Sequence, residues 1–146
     1  MTIIVNGLSL PLLLIELIES GRWKRPTDVS VLAEMTGVNR PEEFSFCQMD
    51  AIIRETGQFP LLLSEGLGHG YGLTSSNDPS ASHNPSFLDV YRAVIIAVNW
   101  DEDIICLDYT ENLNDPKVVC NLRLKTYAEW KVIAPTFDAF AERLGL

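Results

Sequence analysis

Residues 93–108 read AVIIAVNWDEDIICLD, and the fold turns on this stretch. Two apolar, β-branched-rich runs, 93–99 and 104–108, flank Trp100, Asp101, Glu102 and Asp103. A polar interruption of this length between two such runs is what joins neighbouring antiparallel strands into a hairpin. Toward the C-terminus the same strand chemistry returns at 117–121 and at 130–134. Pro135 and Thr136 then punctuate and cap a closing helix. Its residues Phe137, Phe140, Ala141 and Leu144 fall at i, i+3, i+4 and i+7, an apolar stripe that must lie on the sheet.

Toward the N-terminus the pattern changes. Residues 75–86, SSNDPSASHNPS, offer almost nothing to bury and read as a long surface loop. Brief apolar runs at 61–63 and 71–74 read as short strands broken by glycine. Met49, Ile52, Ile53 and Thr56 stand at helical spacing before Gly57, where that helix is expected to stop, and Phe44 and Phe46 alternate with polar neighbours as a strand does. A further helix with Val31, Leu32 and Met35 is opened by Pro26 and Thr27 and closed by Gly37, behind a basic turn at 22–25. The first helix is expected to start from a Ser9 cap with Pro11 in its first turn. It carries Leu10, Leu13, Leu14, Leu17 and Ile18 on one face and ends at Gly21, after residues 2–5, which read as a short strand or a frayed end.

Helices, then a run of antiparallel strands, then one more helix make an α+β fold. The expectation is one domain over residues 1–146, with N-terminal helices, a central antiparallel sheet of roughly four to six strands, and the C-terminal helix packed on that sheet. A chain of 146 residues, 47% hydrophobic and 21% charged, is long enough to bury one sizeable core without metal or disulfide staples.

Cys47, Cys106 and Cys120 are odd in number and lack Cys-x-x-Cys spacing, as buried free thiols of a reducing compartment would. The longest apolar run, 10–15, is far short of the roughly 20 residues of a membrane span. No Lys or Arg precedes it, and Glu16 and Glu19 follow, unlike a signal peptide. A cytoplasmic location with no membrane partner is therefore expected. A formal net charge of -9 argues against direct nucleic-acid binding, which draws its affinity from Lys and Arg on phosphates.

Catalytic and ligand motifs are weak. Gly66, Gly68, Gly70 and Gly72 form G-x-G-x-G-x-G with no following Lys-Ser/Thr, so a flexible turn or bulged strand is favoured over a phosphate cradle. His69 and His83 are isolated and lack metal-ligand spacing. Ser64 has Leu62 where a nucleophile elbow needs glycine. Asp101, Glu102 and Asp103 lack the sixth-position glycine and distal glutamate of a calcium loop. No catalytic residue, metal or cofactor is expected.

What stands out is charge. Asp101, Glu102, Asp103, Asp108, Glu111 and Asp115 fall between residues 93 and 116, where there is no Lys or Arg. An acid-rich turn is in the bland case merely solvated. Clustered acids also attract a basic partner and speed its approach. Trp100 and Tyr109 are of the aromatic type that anchors interfaces. The expected partner-binding surface is Trp100, Asp101, Glu102, Asp103, Asp108, Tyr109 and Glu111.

From Val94 to Leu146 the order is an apolar strand, the acidic turn, I-C-L-D-Y, a turn with Asp115-Pro116, V-V-C-N, and W-K-V-I-A-P-T-F-D-A-F-A-E-R-L. This order resembles the SUKH superfamily, which contains the fungal Smi and Knr cell-wall regulators and many bacterial immunity proteins; the resembling features cover about the last third of the chain. The resemblance implies an α+β binding domain without an enzymatic centre, acting as an immunity protein that sequesters a cognate toxin, commonly a nuclease, with a basic surface. A regulatory interaction module of the fungal type is the alternative it implies.

Overall fold

The computed structural model describes residues 2–76, 86–124 and 126–146, so His83 and most of the 75–86 stretch lie outside the described residues. The elements are β1 (Ile4–Val5), β2 (Leu8–Ser9), α1 (Leu12–Glu19), α2 (Ser30–Thr36), a short 3-10 turn, β3 (Ser45–Phe46), α3 (Met49–Ser64), β4 (Leu73–Thr74), β5 (Leu88–Asp89), β6 (Ala93–Val98), β7 (Ile104–Asp108), β8 (Lys117–Arg123), β9 (Ala128–Ala134) and α4 (Phe137–Arg143). Five strands form the main sheet in the order β3-β6-β7-β8-β9, with every neighbour antiparallel. The fold is α+β, with the hairpin of β6 and β7 at its centre and a C-terminal helix on the sheet, as the sequence pattern implies.

Both faces of the sheet are covered, which is why β6, β7 and β8 read as near-continuous apolar runs. On one face Val94, Ile96, Ile105, Leu107, Val118 and Cys120 meet Leu14 and Leu17 of α1, Leu32 of α2, and Phe137 and Phe140 of α4. Trp23, from the middle of the basic turn, is 1% exposed in this core, its indole N–H donating to the Cys47 carbonyl at 2.9 Å and its ring 4.5 Å from that of Phe46. On the other face Ile95, Cys106 and Val119 meet Phe59, Leu73, Leu88 and Val90. A bulge between Ile95 and Ala97 resets the alternation of β6, so that Ile96 and Ala97 both face the first core.

Several element boundaries differ from the sequence reading. Ser9 does not cap α1. Asn6 and Gly7, at φ 51° and 79°, close a tight hairpin that places Ser9 in β2 opposite Ile4, and Pro11 takes the N-cap position without a side-chain bond. The second helix begins at Ser30, where Asp28 accepts both the Ser30 N–H at 3.0 Å and its hydroxyl at 2.7 Å, rather than at Pro26 and Thr27. The strand expected at 61–63 is helix, because α3 runs through Gly57 and Pro60 for 16 residues.

Proline inside a helix removes the amide that would bond the carbonyl four residues back. Here that carbonyl belongs to Thr56, and the Asn6 side-chain amide donates to it at 3.5 Å. Helical periodicity continues past the glycine, with Ile52, Thr56 and Phe59 buried and Leu62 and Leu63 packed on the second core. Gly66, at φ 77°, closes the helix as Leu67 N–H reaches back to the Leu62 carbonyl at 2.8 Å.

The strand expected at 71–74 shortens to Leu73–Thr74, which pairs in parallel with β5 outside the main sheet. Gly72 lies so close to β9 that a Cβ there would stand 2.1 Å from the Ala128 carbonyl oxygen, and its φ of 68° is itself a glycine conformation. At the C-terminus Thr136 caps α4 by accepting the Ala139 N–H at 3.1 Å, as its position after Pro135 implies.

Thr56 is fully buried, and its hydroxyl accepts the Ile95 N–H at 3.0 Å. Replacing it by the near-isosteric valine orphans that amide. We expect Thr56→Val to lower unfolding free energy by about 1–3 kcal/mol in urea titration; an unchanged midpoint would show that the bond contributes nothing.

Candidate interaction surface

The turn between β6 and β7 is held by its own side chains. Asn99 N–H donates to the Asp103 carbonyl at 3.1 Å, and Glu102 N–H donates to the Asn99 carbonyl at 3.3 Å. The Asn99 side-chain oxygen accepts the N–H groups of Asp101 at 3.0 Å and Asp103 at 2.8 Å, while its amide donates to the Asp103 carboxylate at 3.0 Å. From β8, Asn121 clamps the far side: its amide donates to the Glu102 carbonyl at 3.0 Å and its oxygen accepts the Ile104 N–H at 2.7 Å.

Glu102 has φ 63°, in the left-handed region that suits glycine at this place in a hairpin. Its carboxylate accepts the Tyr71 hydroxyl at 3.3 Å. The Tyr71 phenol is shifted upward from its ordinary value, by burial first and by the charge of Glu102 second.

The seven residues of the expected surface do not form one patch. Trp100 and Glu102 are exposed at the tip, Asp101 is half-buried, and Asp103 is 8% exposed with Arg123 Nε 3.7 Å from its carboxylate. Asp108 and Glu111 lie at the opposite end of β7. Asp108 stands five residue steps along the strand from Asp103, a span of about 17 Å. There Asp108 accepts the Thr110 N–H at 3.0 Å and hydroxyl at 2.6 Å, and Glu111 pairs with Lys117 Nζ at 3.0 Å.

Tyr109 is a correction: it is fully buried, its hydroxyl donates to the Ser9 carbonyl at 2.8 Å, and burial pushes its pKa far up. It is a core residue, not an exposed anchor. The absence of Lys and Arg between 93 and 116 also misleads, because Lys117 and Arg123 of β8 answer two of the acids across the strands.

Beside the tip lies a groove of about 470 Å³, walled by the end of α2 at Thr36, Gly37, Val38 and Asn39 and by Asp101, Asp103, Asn121, Leu122, Arg123 and Leu124. Its apolar contribution from the end of β8 and the residue after it, Leu122 at 44% and Leu124 at 41% exposure, is invisible to a local reading. These leucines reach the tip because β8 pairs antiparallel with β7 at Ile105 and Cys120, which brings 121–124 alongside 102–104. Asn99 carried a readable signal, an Asx turn at the start of a loop; Asn121 carried none.

The other candidates take structural places. His69 is exposed, with its ring 5.6 Å from that of Phe87 and 5.5 Å from that of Tyr127. Ser64 donates its hydroxyl to the Leu61 carbonyl at 2.9 Å at the end of α3. Cys47, Cys106 and Cys120 are free and buried. Burial pushes Cys47 up to about 11, Cys120 up to about 12 and Cys106 well above the ordinary thiol value. Among the described residues no three of His, Cys, Asp and Glu are placed to hold a metal ion, and no helix is long and apolar enough to cross a membrane.

The model of one protein family, described as SMI1 / KNR4 family (SUKH-1), matches residues 6–143. The match extends the likeness read in the last third to nearly the whole chain. No curated protein and no solved structure matches the chain.

The left-handed backbone at residue 102 costs a side-chain-bearing residue about 1–2 kcal/mol relative to glycine. Glu102→Gly is therefore expected to raise the melting temperature by a few degrees in calorimetry, about 1 kcal/mol. A fall would mean that the Tyr71 bond outweighs the strain.

Proposed function

The chain belongs to the SMI1 / KNR4 family (SUKH-1), whose model matches residues 6–143, and from that premise we propose that it is an immunity protein. It binds and neutralises a cognate protein toxin of a bacterial polymorphic or contact-dependent system, acts in the cytoplasm, and works by occupying the toxin instead of transforming a substrate. Family membership is the general support. The observation that carries the reading on this molecule is the hairpin tip: Trp100, 89% exposed, stands beside Asp101 and Glu102 on a turn closed by its own hydrogen bonds.

The electrostatics suit a toxin that handles nucleic acid. Such an enzyme must present Lys and Arg where it holds phosphates. An acidic protein approaches that surface faster than a neutral one and in a preferred orientation. With a net charge of -9, the chain is itself poorly suited to nucleic acid, so its contact with a nuclease would be direct.

Co-expression with the toxin encoded by the adjacent gene tests the function: we expect restored growth and a complex that co-purifies. Continued toxicity with no complex would sink the reading. The fungal-regulator alternative would instead show an endogenous partner and no toxin gene alongside.

A rate measurement tests the electrostatic part. Reversing Asp101 and Glu102 together to lysine is expected to slow association about tenfold at low salt, the deficit closing as salt rises, because steering is screened. Folding is expected to change little, since Glu102 is exposed, Asp101 is half-buried without an ion pair among the described residues, and the bond lost, from Tyr71 at 3.3 Å, is a long one. An unchanged rate would move the docking face away from this tip.

A further inference from the structure

Trp100 is 89% exposed, more than any other large apolar side chain among the described residues. Its indole makes no hydrogen bond and no ring contact among those residues, in contrast to Trp23 in the core and Trp130, whose Nε1 donates to the Tyr71 carbonyl at 3.3 Å. The turn does not need it either. Closure is carried by Asn99, Asp103 and Asn121, and a polar residue at position 100 would leave every one of those bonds in place.

An indole offers roughly 150–250 Å² of surface for burial, which makes it the kind of group that dominates interface energetics when a partner covers it. Two further exposed apolar side chains, Leu122 and Leu124, stand at the same end of the sheet and line the groove beside the tip. At the opposite end a hollow of about 410 Å³ is lined by Asp108, Glu111, Asp115, Lys117 and the aliphatic Val132 without an aromatic, and Tyr91, which stands at that end, is 44% exposed, about half as much as Trp100. The two acidic ends therefore differ, and the tip is the one whose aromatic is almost fully exposed beside its carboxylates.

Resting on the immunity reading above, we infer that Trp100 is the energetic anchor of the interface. The partner presents an apolar pocket sized for one indole, with Leu122 and Leu124 meeting its apolar margin and Lys or Arg side chains on its rim facing Asp101 and Glu102. An apolar centre inside a charged rim is the usual anatomy of a protein interface. The roles then separate in time. The carboxylates act during encounter, so their loss appears in the association rate. The indole acts once seated, so its loss appears in the dissociation rate.

The experiment is surface plasmon resonance with a catalytically inactivated form of the toxin encoded beside this gene, comparing the wild-type chain with W100A, W100F and V132A. W100A is expected to raise Kd by at least about 30-fold, nearly all of it in the dissociation rate, with an unchanged melting temperature. W100F is expected to fall between W100A and wild type, and V132A, at the other end, to stay within about twofold. The emission of Trp100 is expected to shift to the blue in the complex, and W100A to abolish that shift.

If W100A binds within about threefold of wild type, the anchor is overturned while the immunity function stands. If the wild-type chain forms no complex with that toxin, the function is overturned and the anchor with it. If the chain alone sediments as a dimer that W100A splits, Trp100 belongs to a contact between two copies, which also overturns the inference.

Discussion

The amide of Ile95 sets the terms on which the sheet is closed. β3 is two residues long and pairs with Ala97 and Val98, and Cys47 N–H reaches the Ile96 carbonyl, so the ladder stops just short of Ile95. A buried amide without an acceptor costs about 1–3 kcal/mol. The hydroxyl of Thr56 supplies the acceptor and thereby fixes α3 against the edge of β6. The helix straddles that edge: Ile52 enters the core on one face and Phe59 the core on the other. An exposed strand edge invites pairing with other chains, and a helix laid across it is one of the ways proteins close it.

The position of the hairpin tip follows from that placement. Because the second half of α3 runs over the far face, the segment after Gly66 is delivered to β9, where Gly72 meets Ala128 and the Trp130 indole bonds the Tyr71 carbonyl. Tyr71 is then in position to donate its hydroxyl to Glu102. The hairpin tip is thus supported from two directions, by Asn121 within the sheet and by Tyr71 from the layer above it.

What the sequence disclosed and what it concealed divide along a physical line. The hairpin of β6 and β7, the strands after it and the Thr136-capped last helix were legible because each depends on period, turn chemistry or capping within a few residues. Gly57 concealed the continuation of α3, since glycine lowers helix propensity by about 1 kcal/mol relative to alanine whereas burial of Phe59 on the second core supplies more than that locally invisible cost. Asn6-Gly7, a strong local hairpin signal, displaces the expected Ser9 cap. Tyr109 reads as an interface aromatic from its acidic neighbours, yet its place is decided by a partner 100 residues away, the carbonyl of Ser9. Arg123 and Lys117 likewise neutralise acids that are bare along the chain and paired across it.

Charge counted along a sequence therefore overstates the patch and misplaces its centre. Once Asp103 is paired and Asp108 and Glu111 are moved to the other end, the tip retains Asp101, Glu102 and an indole. Neither the indole nor the side chain at 102 closes the turn, whose closing bonds come from Asn99, Asp103 and Asn121, although Glu102 adds the bond from Tyr71. A strained residue of this kind costs of order 1–3 kcal/mol and persists where surrounding structure over-determines it. For the proposed binding, a turn held in one shape beforehand would have less to order, and each side chain ordered on association costs about 0.5–1.5 kcal/mol. The hydrogen bonds that close the turn hold its backbone in one shape, and the costs borne by the chain at residues 100 and 102 fall two positions apart in one loop.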